Sequence, residues 1–362
     1  MIDDQECKVT INKEAIENAG DNPIFVASID QGTSSSRFLL YNQLGDIVAS
    51  AQLEFTQIFP PEHVGWHEHD PFEIWDSVLT CIKSLVNSCL LEHGNISWTS
   101  SIKALGITNQ RETIIAWNAK TGHIYYNAIV WDDLRTTDIA AKICHGDKNA
   151  LRGITGLPIA SYFSGTKVRW LLDHIHDLRR DLSDDSTRDQ VRFGTIDCWL
   201  TYQLTGIPHP DTPQDDTNAR RRANVGGRFV TDVTNASRWL FLNLHTVSWA
   251  PELITLICSP SGIDLPLTAL PHILPSSCFI DYCSRTCGIP SLMDNIPISG
   301  LIGDQQAALF GQAAFEPGEA KNTYGTVCTS FKTMYQSICI QCCDICISAY
   351  LYILWYLHRV YF

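Results

Sequence analysis

Apolar runs and polar breaks alternate through the first part of the chain. Ile24, Phe25 and Val26 lead to a lone carboxylate, Asp30, followed by Gly32 and four hydroxyl residues, Thr33 to Ser36. Apolar positions resume at Phe38–Tyr41, break at NQLGD and return over 47–55, which predicts an antiparallel meander of three strands with tight turns. Asp70-Pro71-Phe72-Glu73 then has the form of a helix start: a cap, proline at the first helical position, and glutamate three residues after the cap. Trp75, Val78, Leu79, Ile82, Leu85, Val86 and Cys89 behind it keep helical spacing on one face.

Further on, the pattern predicts strands over 104–108 and 113–117, an AKTG turn, a strand ending at Trp131 and a helix from about 133 to 148. Ser164 can cap a helix with Val168, Leu171, Leu172, Ile175 and Leu178 on its buried side. FGTIDCWLTYQLTG predicts a short helix, and residues 208–228 a surface loop or insertion. VTDVTNASRWLFLNLHT predicts a strand, SWAPELITLICS a short helix, and 296–302 a strand. A helix from Gln305 to about Ala314, a turn at EPGE and a strand over 320–324 close the patterned region. Residues 1–22 are expected to be a mobile leader.

Length and composition add limits. At 362 residues two domains are expected, and 45% hydrophobic with 18% charged residues describes a globular protein. A net charge of −13 argues against non-specific nucleic-acid binding, which needs a basic face. The polar, acidic N-terminus carries no apolar targeting segment, so a cytoplasmic setting with the 14 cysteines as reduced thiols is expected. The sequons at Asn95 and Asn235 then carry no meaning.

Five places carry candidate chemistry. The turn after Asp30 offers backbone N–H groups and hydroxyls that suit phosphate oxygens, with Asp30 beside a magnesium ion; the same residues also suit an ordinary hairpin. Arg111 and Glu112, adjacent opposite charges between two strands, suggest a ligand cleft or a plain exposed turn. Tyr162 can meet a ligand or simply pack. Asp304, between a strand and a helix, suits an N-cap or a general base. Gly325-Thr326 repeats the glycine–hydroxyl turn of Gly32-Thr33, which suggests a nucleotide phosphate between two related domains.

Together these residues resemble the glycerol kinases of the FGGY family of carbohydrate kinases. The motifs are DQGTSSSR at 30–37, GITNQRET at 106–113, NAIVWDDLR at 127–135, YFSGTKVRW at 162–170, VTDVTNASR at 230–238, GDQQAALFGQ at 303–312 and KNTYGT at 321–326. The resemblance implies an α/β, actin-like and ribonuclease-H-like fold, with the first domain over 23–275 and the second beginning at 276–327. It implies magnesium-assisted phosphoryl transfer from ATP to the 3-hydroxyl of glycerol. Arg111, Glu112, Tyr162, Asp304 and Gln305 then correspond to the glycerol set, with Trp131 as an apolar wall and Asp304 as the base. Asp30 corresponds to the magnesium-side carboxylate, held through water. Gly32, Thr33, Ser34, Ser35, Arg37, Gly325 and Thr326 correspond to the nucleotide contacts. Homo-oligomers occur in the family.

Two departures accompany the resemblance. Val327 stands where the family has a second glycine, and residues 328–362 form a cysteine-rich apolar tail unlike any family segment. A zinc site in CIQCCDIC, a membrane anchor over 338–357 interrupted by Asp344, and a gene-model artefact are the three readings of this tail, the last favoured. Without the adenine-binding half, weak or absent turnover is expected. A glycerol-binding remnant without turnover and a kinase for another polyol or sugar are the alternatives.

Overall fold

The computed structural model of the chain describes residues 6–20, 23–92, 101–210, 222–284, 293–316, 318–323 and 329–332. Its centre is a seven-stranded sheet. Phe25–Gln31, Ser35–Asn42 and Ile47–Glu54 form the expected antiparallel meander, and Lys8–Ile11 extends it at one edge. On the other side of Phe25–Gln31 lie Ile102–Asn109 and Pro297–Gly303, both parallel to it, and then Ser277–Tyr282, antiparallel at the far edge.

The connection from meander to Ile102–Asn109 runs through the helix Pro71–Glu92. Its start is capped as the sequence implies, with Asp70 Oδ1 accepting the Phe72 N–H at 2.8 Å. Glu73 does not turn back to the cap. It accepts the N–H and hydroxyl of Thr56 at 3.0 and 2.7 Å, tying the helix to the end of the meander. The apolar face of this helix (Ile74, Val78, Ile82, Leu85) and the sheet side chains Phe25, Ile29, Phe38 and Leu40 are fully buried in one core cluster. A second cluster, with Trp170, Leu171, Trp239, Phe241 and Ile257, packs around a small sheet of Glu68–His69, Ala128–Ile129, Ile114–Asn118 and Val191–Thr195.

Several expectations need correction. The leader is not separate from the fold: Lys8–Ile11 pairs with Ile47–Glu54, and the helix Lys13–Glu17 comes next, burying Ala15 and Ile16. Too few apolar residues stand there for a pattern to register. The boundary expected at 275 also moves, because Ser277–Tyr282 and Pro297–Gly303 complete the first sheet. The strand expected over 230–246 is confined at its start to Val230–Asp232; Asp232 then accepts the Thr234 and Asn235 N–H groups and caps a helical turn, Val233–Ala236. The helix expected over 133–148 is limited to Thr137–Cys144, ended by His145 at φ 45°.

Ala320–Thr323 pairs antiparallel with Thr329–Lys332. Gly325, Thr326, Val327 and the tail from 333 onward, including the zinc and anchor candidates, lie outside the described residues, as does most of the insertion loop. Among the described residues, no helix is long and apolar enough to cross a membrane.

Candidate active site

The register of the three parallel strands assembles the site. Gln31 lies level with Asn109, and Asn109 with Gly303, so all three chains leave the sheet at the same height. Directly beyond these strand ends stand Gly32-Thr33, Gln110-Arg111-Glu112 and Asp304-Gln305. Crevices at the carboxyl ends of parallel strands are the usual binding places of open α/β sheets.

Arg111 is buried and lies across the start of the 304–311 helix. Its Nε is 3.6 Å from Asp304 Oδ1, and its Nη1 donates to Gln306 Oε1 at 3.1 Å. Asp304 is about one-third exposed, with a side-chain relative exposure of 33%. Burial holds its carboxyl above the usual carboxylate range, opposed by Arg111 and reinforced by Glu112. Gly303 is the cap residue of this helix, and Asp304 instead accepts the N–H of Gln305 at 2.7 Å. Gln305 also donates its side-chain amide to Asp304 Oδ2 at 3.3 Å.

Glu112 is buried and adopts φ 62°, a left-handed conformation uncommon for a residue with a side chain. Its carboxylate accepts from Arg238 Nε, and its carbonyl accepts from the Ser164 hydroxyl at 3.1 Å. Ser164 therefore does not cap its helix; it lies within Ser164–His174 and fixes the Glu112 backbone. Arg238 spreads over the rings of Phe163 and Tyr162, 4.9 and 5.6 Å from their centroids.

Trp131 and Tyr162 meet edge to face with centroids 5.5 Å apart, an apolar pair beside Arg111, Glu112 and Asp304. Fully buried Lys167 holds both segments from behind, donating to the carbonyls of Tyr162 at 2.6 Å, Ser161 at 3.1 Å and Trp131 at 3.4 Å. Burial lowers its ammonium to about 8, partly offset by Glu112 and Asp133. Asp133 accepts the His67 N–H at 2.6 Å and pairs with Arg135, whose guanidinium lies 3.9 Å from the Trp66 ring centroid.

The turn at Gly32 is tightly braced. Its N–H donates to Ser35 at 2.9 Å, and its carbonyl accepts from Gln31 at 2.8 Å and Gln110 at 3.0 Å. Gly32 is not in the left-handed region; a Cβ there would sit 3.3 Å from the Ser35 carbonyl oxygen, so the requirement is close approach. Thr33 accepts the Trp131 indole N–H at 2.9 Å. Ser34 is exposed, Ser35 is buried with its hydroxyl accepting from Gln52, and Ser36 faces Ser77. Asp30 pairs across the hairpin with exposed Arg37 at 3.4 Å, and burial raises its carboxyl.

The structure thus brings Arg111, Glu112, Tyr162, Asp304 and Gln305 close together, with Trp131 against Tyr162 and Thr33 bonded to the Trp131 indole. Sequence reasoning missed Arg238, Lys167, Gln110 and Gln306. All four stand inside the VTDVTNASR, YFSGTKVRW, GITNQRET and GDQQAALFGQ motifs, which was the available signal.

Residues 25–311 match the FGGY family of carbohydrate kinases, N-terminal domain. The chain belongs to the FGGY family of carbohydrate kinases. That domain match ends beyond Gly303, in agreement with the sheet. The FGGY chain is 44% identical over 305 residues to the glycerol kinase of Brucella anthropi, covering 84% of this chain and 53% of that one. It is 43% identical to glycerol kinase 3 of Streptomyces avermitilis, covering 83% and 53%. Among solved structures, the Plasmodium falciparum glycerol kinase with ADP superposes with a TM-score of 0.70 at 31% identity, covering 85% of this chain and 54% of that one. A gluconate kinase from Lactobacillus acidophilus, at 22% identity and a TM-score of 0.63, shares the fold. The chain spans about half the length of the curated relatives it matches. Its sheet is the actin-like, ribonuclease-H-like first domain of these sugar kinases.

Proposed function

We propose that this chain carries the polyol-binding half of a glycerol kinase, a cytoplasmic enzyme that moves a phosphoryl group from ATP to the 3-hydroxyl of glycerol. The observation that carries the reading is the approach of Arg111 to Asp304 opposite the Trp131–Tyr162 pair. A triol offers three hydroxyls and a short carbon backbone. Arg111 supplies donors, Glu112, Asp304 and Gln305 supply acceptors, and the aromatic pair takes the carbon face.

Asp304 is the general base. Its partial exposure leaves a carboxylate oxygen for a substrate hydroxyl, and its raised affinity for a proton suits it to accept one. Arg111 keeps it ionised and orients it. Thr33 and the braced Gly32 turn face the phosphate side, with Ser34, Ser35 and Arg37 in the same hairpin; Gly325-Thr326, outside the described residues, keep the second phosphate contact that the family motif assigns them. ATP supplies the phosphoryl group and magnesium neutralises its charge. Asp30 fits a magnesium partner: it is a hard oxygen ligand, about one-third exposed and paired with Arg37. A magnesium ion held by phosphates and water needs only such a single carboxylate.

The test is thermal stabilisation by glycerol compared with xylulose and gluconate. Glycerol alone is expected to raise the melting temperature. Stabilisation by a sugar or by gluconate in its place refutes glycerol as the substrate.

A further inference from the structure

We propose that the Trp131–Thr33 hydrogen bond ties the polyol wall to the phosphate turn, making Trp131 a positioning residue for Thr33. This rests on the functional reading of those two surfaces as polyol and phosphate sites. The two residues are 98 positions apart in the chain, and the indole N–H donates to the Thr33 hydroxyl oxygen at 2.9 Å.

The surroundings of this bond are fixed on both sides. Gly32 is pinned through its N–H and its carbonyl, by Ser35, Gln31 and Gln110. The backbone of Trp131 and that of Tyr162 are held together by the Lys167 ammonium. Between these anchored segments, the indole ring and the Thr33 hydroxyl rotor are the adjustable parts. A threonine hydroxyl has one hydrogen to give and two lone pairs to offer. With one lone pair occupied by the indole, its hydrogen points elsewhere, as a donor to an anionic oxygen at the turn.

A polyol seated against Trp131 and Tyr162 restricts the indole, and so fixes the hydroxyl that a phosphate meets. The coupling is reciprocal: phosphate at the turn must tighten the polyol by the same factor. A single net hydrogen bond sets the size, about fivefold.

The test uses the full chain with ¹⁵N-labelled tryptophan. Ten tryptophans give ten indole signals, and Trp131→Phe identifies one of them. Glycerol and magnesium tripolyphosphate are titrated separately and together. Both probes are expected to move the Trp131 signal, and saturating glycerol is expected to tighten tripolyphosphate about fivefold. Thr33→Val, which removes the acceptor and keeps the shape, abolishes that factor; Trp131→Phe abolishes it too, and the double variant loses nothing more. Binding of both probes with no mutual effect, or coupling preserved in Thr33→Val, overturns this proposal alone. Failure of glycerol itself to bind overturns it together with the functional reading beneath it.

Discussion

Arg111 occupies the space that a side chain at Gly303 would need. A Cβ built on Gly303 meets Arg111 Cδ at 2.4 Å and Cγ at 2.7 Å. These are atoms of the buried stem of the arginine, so they cannot swing away into solvent. Gly303→Ala is therefore expected to destabilise the fold by about 1–3 kcal/mol, the usual cost of overpacking. It should also weaken glycerol binding, because Arg111 must leave Asp304. Chemical denaturation together with a glycerol titration checks both effects; unchanged affinity places Arg111 outside the pocket.

Removing Arg238 leaves Glu112 as a buried carboxylate without its guanidinium partner. Breaking such a pair costs on the order of 3 kcal/mol. Arg238→Ala should lose about that much stability, while Glu112→Gln together with Arg238→Ala should recover part of it. A double-mutant cycle by urea denaturation is the measurement. Additive losses from the two changes contradict the pairing.

Deleting residues 1–18 should lower the melting temperature by several degrees. The deletion strips a strand from the sheet edge and exposes the face covered by Ala15 and Ile16. Ile16 alone accounts for roughly 2 kcal/mol of buried apolar surface. An unaltered melting curve is the outcome that restores a leader independent of the fold.

Asp197 provides a pH signature. It is fully buried between the hydroxyls of Thr195 and Thr231, both at 2.6 Å. Burial first, and the charge of Asp232 second, raise it from 3.8 to about 7. The folded state therefore keeps a proton that the unfolded chain releases near pH 4. Stability from this group is present below that pH and is lost as pH rises towards 7, by at most about 1.4 kcal/mol per unit. Asp197→Asn, which resembles the protonated acid, should flatten this slope. Denaturation midpoints of both proteins between pH 4 and 8 are compared; parallel curves contradict the assignment.

The features legible in the sequence share a physical origin. The meander, the Pro71–Glu92 helix and the Asp304 junction each rest on local signals: alternation, a capped start, and a strand running into a helix. Arg111, Glu112 and Asp304 were legible because they interrupt apolar runs at strand ends. Arg238 was not, because its role depends on Glu112, 126 positions earlier in the chain. Lys167 was hidden by its charge, which normally marks a solvated face. Yet it stands four residues before Leu171, and helical periodicity places it on the buried side. The domain boundary was misplaced for a similar reason, since only the pairing of Pro297–Gly303 with Ile102–Asn109 assigns that strand to the first sheet.

Glycerol titrated by calorimetry into the wild-type chain and into Arg111→Ala tests the central claim most directly. Saturable one-site binding to the wild type is predicted, with a loss of at least tenfold in the variant, the minimum expected for a charged hydrogen-bonding partner, about 1.5 kcal/mol. Equal affinity in the two proteins, or no binding to the wild type, contradicts it.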